Sequence, residues 1–143
     1  MDQLKLIALD GEDIEVVSAH VQDAILKASD IRWRPSEQRV VLGLNRFDWC
    51  GANGASPEFR RCRAALRFER VRSCKCRNLD AAKGDLNLLA VAFEPTHPPG
   101  GAVRLTFAGG AELRLEVECL EVELADLGPD WAAACPPAHV IDV

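Results

Sequence analysis

The chain has 143 residues, 48% hydrophobic and 27% charged, with a net charge of −5 and a sequence pI of about 5.2. This fits one domain over residues 1–143, long enough to bury a core and ordinary for a soluble globular protein. No apolar run reaches the ~18 residues of a membrane-spanning helix, and the acidity is far from the basic balance of a dedicated nucleic-acid domain.

The first residues, Met1-Asp2-Gln3-Leu4-Lys5, and the short apolar stretch Leu6–Leu9 lack the form of a secretory signal. A cytoplasmic location without membrane contact is therefore expected. There the six cysteines, Cys50, Cys62, Cys74, Cys76, Cys119 and Cys135, stay reduced. Several are expected to be buried as small hydrophobes.

Leu4–Leu9 reads as a first strand. Asp10 then caps a helix, with Glu12 and Asp13 favourable in its first turn. Ile14, Val17, Val21 and Ala24 or Ile25 follow at helical spacing, so the helix is expected to end near Asp23 or Ala24. From Ile31 onward the pattern is strand. Ile31 and Trp33 alternate with Arg32 and Arg34 until Pro35. Val40, Leu42 and Leu44 face one way, and Val41, Asn45, Phe47 and Trp49 the other, as in a central strand. Cys50–Pro57 is a loop.

Between Arg60 and Arg77 eight basic residues meet one acidic residue, Glu69. This stretch carries +7 and the rest of the chain −12. Cys62, Ala64, Leu66 and Phe68 form its apolar face. Beyond Glu69 the phase is lost, which predicts a bulge or a new strand. Asp80–Asp85 reads as a turn and Leu86–Phe93 as an apolar strand. In the hairpin around Gly109-Gly110, a three-residue loop, Ala108–Gly110, pairs Leu105 with Leu113 and Val103 with Leu115. A two-residue loop would mix the faces. Gly110 is therefore expected to be left-handed. Parity flips again after Cys119, where a bend is expected. Gly128–Ala134 fits a short helix with Pro129 in its first turn.

The sum is an α+β fold: a mainly antiparallel, strongly bent sheet or partly open barrel of seven or eight strands. One N-terminal helix and a short C-terminal one accompany it. A roll resembling the pleckstrin-homology superfold is one candidate.

Several segments carry a family resemblance: Leu4–Leu9 with Asp10, Ser18–Ala24, Asn45–Trp49, Phe68–Val71, and Phe107–Gly110 running into Leu115–Cys119. Together they resemble an uncharacterised alphaproteobacterial family of small cytoplasmic domains, a domain of unknown function. The resemblance spans nearly the whole chain. It implies no catalytic residue, because that family has no assigned activity.

The candidate chemistries are sparse. His20 borders the helix's apolar stripe, His97 sits among prolines and His139 lies in the tail; none adjoins a nucleophile motif. No nucleophile elbow, phosphate loop or dinucleotide fingerprint occurs. Cys74 and Cys76 share one side of a strand, but zinc sites repeat such pairs and here there is no second. No metal and no cofactor is expected.

Arg61, Arg63, Arg67, Arg70, Arg72, Lys75 and Arg77, with Arg60, could neutralise phosphates, with Trp33, Phe47 and Trp49 stacking on bases. The acidic run Glu112, Glu116, Glu118, Glu121, Glu123 and Asp126 offers cross-strand partners instead, and this reading is favoured. Trp33, Phe47, Trp49 and Trp131 are of types found at interface centres, and are also ordinary core residues.

The leading expectation is a non-enzymatic binding or protein-interaction module, a homo-oligomer such as a dimer or a partner of another protein. The alternative is a small-ligand protein or enzyme using His20, Asp23, Asn45, Arg46 and Asp48. A third is nucleic-acid binding through the basic strand.

Overall fold

The computed structural model describes residues 4–47, 61–79 and 84–127. Its elements are β1 (Lys5–Ala8), α1 (Gly11–Val21), β2 (Ala24–Lys27), β3 (Ile31–Arg34), β4 (Arg39–Phe47), β5 (Arg61–Phe68), β6 (Val71–Arg77), β7 (Asp85–Pro95), β8 (Gly101–Phe107), β9 (Glu112–Val117) and β10 (Val122–Asp126). The loop expected over Cys50–Pro57, most of the Asp80–Asp85 turn and the C-terminal helix expected at Gly128–Ala134 lie outside the described residues, as do Asp48, Trp49 and Trp131.

Helix α1 begins as its sequence predicts. Asp10 Oδ1 accepts from Asp13 N at 2.8 Å, and Asp13 Oδ2 accepts from Leu9 N at 3.1 Å. Two otherwise orphaned donors are thereby satisfied at the positive end of the helix dipole. Ile14, Val17 and Val21 are buried.

The apolar stripe does not run on to Ala24 or Ile25 as expected. Asp23 takes a left-handed conformation (φ 66°) and its N–H donates to Leu88 O at 2.7 Å. Aspartate tolerates that conformation better than most residues. The chain then enters β2, where Ala24 and Leu26 face the core.

All strand pairs are antiparallel. The ten strands form one sheet in the order β1-β10-β5-β4-β2-β7-β8-β9-β6, with β3 paired to β4 off that path. Among the described residues the sheet is not closed, β1 and β6 are its ends, and ten strands replace the expected seven or eight. β2 in particular was hidden in helical spacing, because four residues carry too little alternation to announce a strand. β4 is interior, as its two apolar faces predict, and α1 packs on β7. Among the described residues no helix is long and apolar enough to cross a membrane.

The two losses of phase in the sequence lie opposite each other. β5 pairs with β10 up to Phe68↔Val122, and β6 pairs with β9 from Val71↔Val117. Between them Glu69 N donates to Glu121 O at 2.9 Å and Glu118 N to Arg70 O at 2.9 Å. The two ribbons turn one corner together. On one strand the buried positions step from Phe68 to Val71. On the other they step from Val117 to Leu120. Each step of three resets a period of two. Arg70 absorbs the turn with a left-handed backbone (φ 59°).

The β8–β9 hairpin has the predicted register, Val103↔Leu115 and Leu105↔Leu113. Its loop is Ala108–Gly110, closed by Phe107 N donating to Ala111 O at 3.0 Å. Gly110 is left-handed as expected (φ 89°), and Gly109 is too (φ 86°). A Cβ on Gly109 would meet nothing within 4 Å. Gly109→Ala should therefore cost only the backbone penalty, about 1–2 kcal/mol. In urea the midpoint should fall with the m-value unchanged.

Candidate functional site

Along a strand, neighbouring side chains point to opposite faces. Of the five polar residues expected to form a site, Asn45 and Arg46 are separated by this rule, and Asp48 lies outside the described residues. Asn45 faces outward on β4, whereas Arg46 faces the core and is only 5% exposed. Arg46 meets Asp126 of β10 in a two-pronged ion pair, Nε–Oδ1 2.8 Å and Nη2–Oδ2 2.9 Å. The pair reaches across β5, where Cys62 and Ala64 leave room, since Arg46 is level with Cys62 and Asp126 with Ala64. Asp126 Oδ2 also accepts from Leu4 N at 2.9 Å. The structure thus places Arg46 in the core rather than beside Asn45.

His20 is tied to its own helix, with Nδ1 3.0 Å from Val16 O. Asp23 lies near Asn45, because Arg61 Nη1 donates to both backbone carbonyls at 3.3 Å.

The outer face of β4, β5 and β10 carries a different arrangement. Gly43, Ala65 and Ala125 align across the three strands. On one side of this lane runs the row Val41, Arg67 and Glu123; on the other, Asn45 stands opposite Arg63, whose carbonyl accepts from Leu127 N at 2.8 Å. The lane is the floor of a solvent-open trough. Its larger recess, about 680 Å³, is walled by Lys27, Ser29, Asp30, Arg32, Asn45 and Arg63, among others. A second recess, about 480 Å³, opens toward Arg34, Arg39, Arg67 and Glu123. The two share Val41, Ala65 and Leu127.

Arg63 is the unusual residue of the trough. Its side chain is 10% exposed, and its nearest carboxylate is Asp30, Nη2–Oδ1 3.5 Å. Nε is out of solvent and has no acceptor among the described residues. A buried donor left unmade costs about 1–3 kcal/mol. The guanidinium lies over Gly43, where a Cβ would stand 2.7 Å from Nη2. Glycine in a central strand marks such a close approach. Asp30 is held by its own short turn, accepting from Lys27 N at 2.9 Å.

A family model described as "Protein of unknown function (DUF2948)" matches residues 4–139. The chain belongs to the DUF2948 family. No curated protein matches it, and neither does any solved structure. The family resemblance read from the sequence is thus correct in covering nearly the whole DUF2948 chain.

The basic segment of this DUF2948 chain is largely engaged with carboxylates. Arg67 meets Glu123, and its Nε lies 3.0 Å from Glu69 without hydrogen-bond geometry. Glu69 also holds Arg39 at 2.9 Å. Arg70 reaches Glu121 at 3.5 Å and Arg72 reaches Glu118 at 3.2 Å, while Arg61 lies over the Phe47 ring at 5.7 Å. Glu116 is taken by Arg114 instead, at 2.8 Å. Lys75 and Arg77, both exposed on β6, have no ion-pair partner among the described residues. Exposed pairs of this kind each contribute about 0–1 kcal/mol. Their main effect is to fix neighbours at the corner.

Cys74, Cys76 and Cys119 are free thiols and Cys62 is buried; Cys50 and Cys135 lie outside the described residues. Among the described residues no three histidine, cysteine, aspartate or glutamate side chains gather to hold a metal ion. Burial, and then the neighbouring Cys76, push the Cys74 thiol up to about 11. The thiolate is the nucleophile, so Cys74 should alkylate with iodoacetamide far more slowly than a free cysteine at pH 8. Its rate should climb until about pH 11, as read by mass spectrometry of the labelled peptide. A raised thiol pKa also favours the folded state below the ordinary value of 9.0, a contribution lost as pH rises toward 11.

The residues that sequence reasoning missed are Gly43, Ala65, Ala125 and Asp30; Asp126 was expected as a cross-strand partner, but not as that of Arg46. Only Gly43 carried a signal, as a lone glycine inside a strong strand.

Proposed function

We propose that the protein is a non-enzymatic binding module of the cytoplasm that seats a partner in the outer-face trough, a second copy of this chain foremost. The observation that carries this reading is the lane of Gly43, Ala65 and Ala125 across three interior strands. These are the smallest side chains at the middle of a sheet face, between rows bearing arginine and carboxylate. A flat apolar floor with a charged rim is how interaction surfaces combine contact with orientation. The open end of the sheet at β1, with Ile7 59% and Leu9 62% exposed, supports association beyond the trough. The shared corner of β5–β6 and β9–β10 supports reading the sheet as a partly open barrel, for which a pleckstrin-homology-like roll is the candidate.

Nucleic-acid binding has less support, since Arg63, Arg67, Arg70 and Arg72 each face a carboxylate. The enzyme reading also has less support, because Asn45 and Arg46 lie on opposite faces.

Light scattering at low and high salt tests the proposal. A dimer mass is expected at low salt, falling with dilution and with added salt. Ala65→Lys, which fills the lane, should be monomeric throughout. A wild type that stays monomeric at all concentrations removes self-association. An Ala65→Lys variant that assembles normally removes the trough as its seat.

A further inference from the structure

We propose that the trough is a carboxylate site anchored by Arg63. The inference rests on reading the trough as the working surface, and it names the chemical group received there. The Arg63 side chain is nine-tenths buried, yet it makes no hydrogen bond among the described residues, and its one ion pair there is a long 3.5 Å contact with Asp30. Nη1 and Nη2 therefore retain donors at the wall of a recess of about 680 Å³. A guanidinium presents paired donors that match a carboxylate in its plane. The guanidinium approaches Gly43 with Nη2 foremost, and any side chain there would displace it.

Local charge selects the anion. Lys27, Arg32 and Arg63 line the recess together with Asp30 and Asp85. Three cations against two carboxylates leave one positive charge, which a single carboxylate neutralises. A phosphate dianion would bring two charges to one point beside Asp30, whereas succinate brings one on each of two separated carboxylate groups. Beside the guanidinium, Gly43, Ala65 and Ala125 offer a flat apolar bed for the carbon skeleton that bears the carboxylate.

The test uses the full chain, labelled with nitrogen-15 and titrated separately with succinate and with inorganic phosphate. Succinate should give saturable shifts at the Arg63 Nε–H and at the Gly43, Ala65 and Asn45 amides. Arg63→Lys should keep the rest of the spectrum and weaken binding by at least about tenfold, because lysine cannot bind in two prongs. Phosphate should bind more weakly than succinate. Equal or tighter phosphate binding, unchanged succinate affinity in Arg63→Lys, or no saturable shift up to 50 mM succinate (roughly the weakest binding that affinity arithmetic makes useful) each overturns the proposal. If Arg63→Lys does not fold, Gly43→Ala, which pushes the guanidinium off its seat, should weaken succinate binding in its place, and unchanged binding overturns.

Light scattering during the titration separates the two sources of the group. A dimer that dissociates as succinate saturates shows that the carboxylate is borne by a second copy. Saturation at constant mass shows a free small molecule. A chain that assembles but ignores succinate loses this inference alone and keeps the proposed function.

Discussion

Asp126→Ala is expected to lower the unfolding free energy by about 3–5 kcal/mol, the usual cost of stripping one partner from a buried ion pair. Its side chain is fully buried and that of Arg46 is 6% exposed, so solvent screens neither charge. Removing the carboxylate deletes two charge-assisted hydrogen bonds to Arg46 and the bond from Leu4 N. It also takes from the buried Arg46 guanidinium its two-pronged carboxylate partner. β1 should then fray, because Leu4 N loses its acceptor beside the bond that Leu4 O accepts from Asp126 N. Replacing both partners by apolar residues, Arg46→Met with Asp126→Leu, should cost much less than the single change, since no buried charge is stranded. Guanidinium denaturation of the three variants measures the difference. A single-variant loss below about 1 kcal/mol would show that the pair is hydrated in solution and that the core end is open.

The hairpin and the corner were legible in the sequence because both are written in the period of two. Leu105 and Leu113 can share a face in only one short loop, and the glycines supply the backbone that the loop requires. The parity breaks after Glu69 and Cys119 are equally plain. That they face each other was not, because nothing local says which strand pairs with which. Leu120 and Val71 become buried at one corner only through pairings made some fifty residues apart in sequence. β2 failed for a different reason. Ala24 and Ile25 continue a helical stripe perfectly well, and only the left-handed Asp23 breaks it.

The trough was nearly invisible in the sequence. Gly43, Ala65 and Ala125 come from three distant strands, and small residues carry no chemical signature of their own. Attention instead fell on the Asn45–Trp49 run, where polar groups are dense in sequence but Asn45 and Arg46 face opposite sides of β4. Arg46 drew notice as a ligand-binding group, and its partner Asp126 sits eighty residues away. The charge arithmetic fared better. Excess positive charge in one strand of an acidic chain foretold cross-strand carboxylates, and Arg70 and Arg72 met Glu121 and Glu118. Arg63 departs from this, since among the described residues its one carboxylate is Asp30 at 3.5 Å, and Lys75 and Arg77 have none there.

Phe68→Ala is the second large effect expected, about 3–5 kcal/mol for an aromatic ring removed from a packed core. Phe68 is 1% exposed and stands level with Val40 on one side and Val122 on the other. It is also the last residue of β5 before the corner. Its loss should be felt beyond the cavity itself, at the hydrogen bonds from Glu69 N to Glu121 O and from Glu118 N to Arg70 O. Hydrogen exchange should therefore show early loss of protection at Glu69, Val71 and Glu118. Phe68→Leu, which keeps most of the volume, should cost less than about 1.5 kcal/mol and leave those amides protected. If Phe68→Ala weakens the core while the corner amides stay as protected as in wild type, the corner is held by its backbone and its surface ion pairs. In that case the two halves of the sheet are joined independently of the core ring, and the left-handed Arg70, not Phe68, is what fixes the bend.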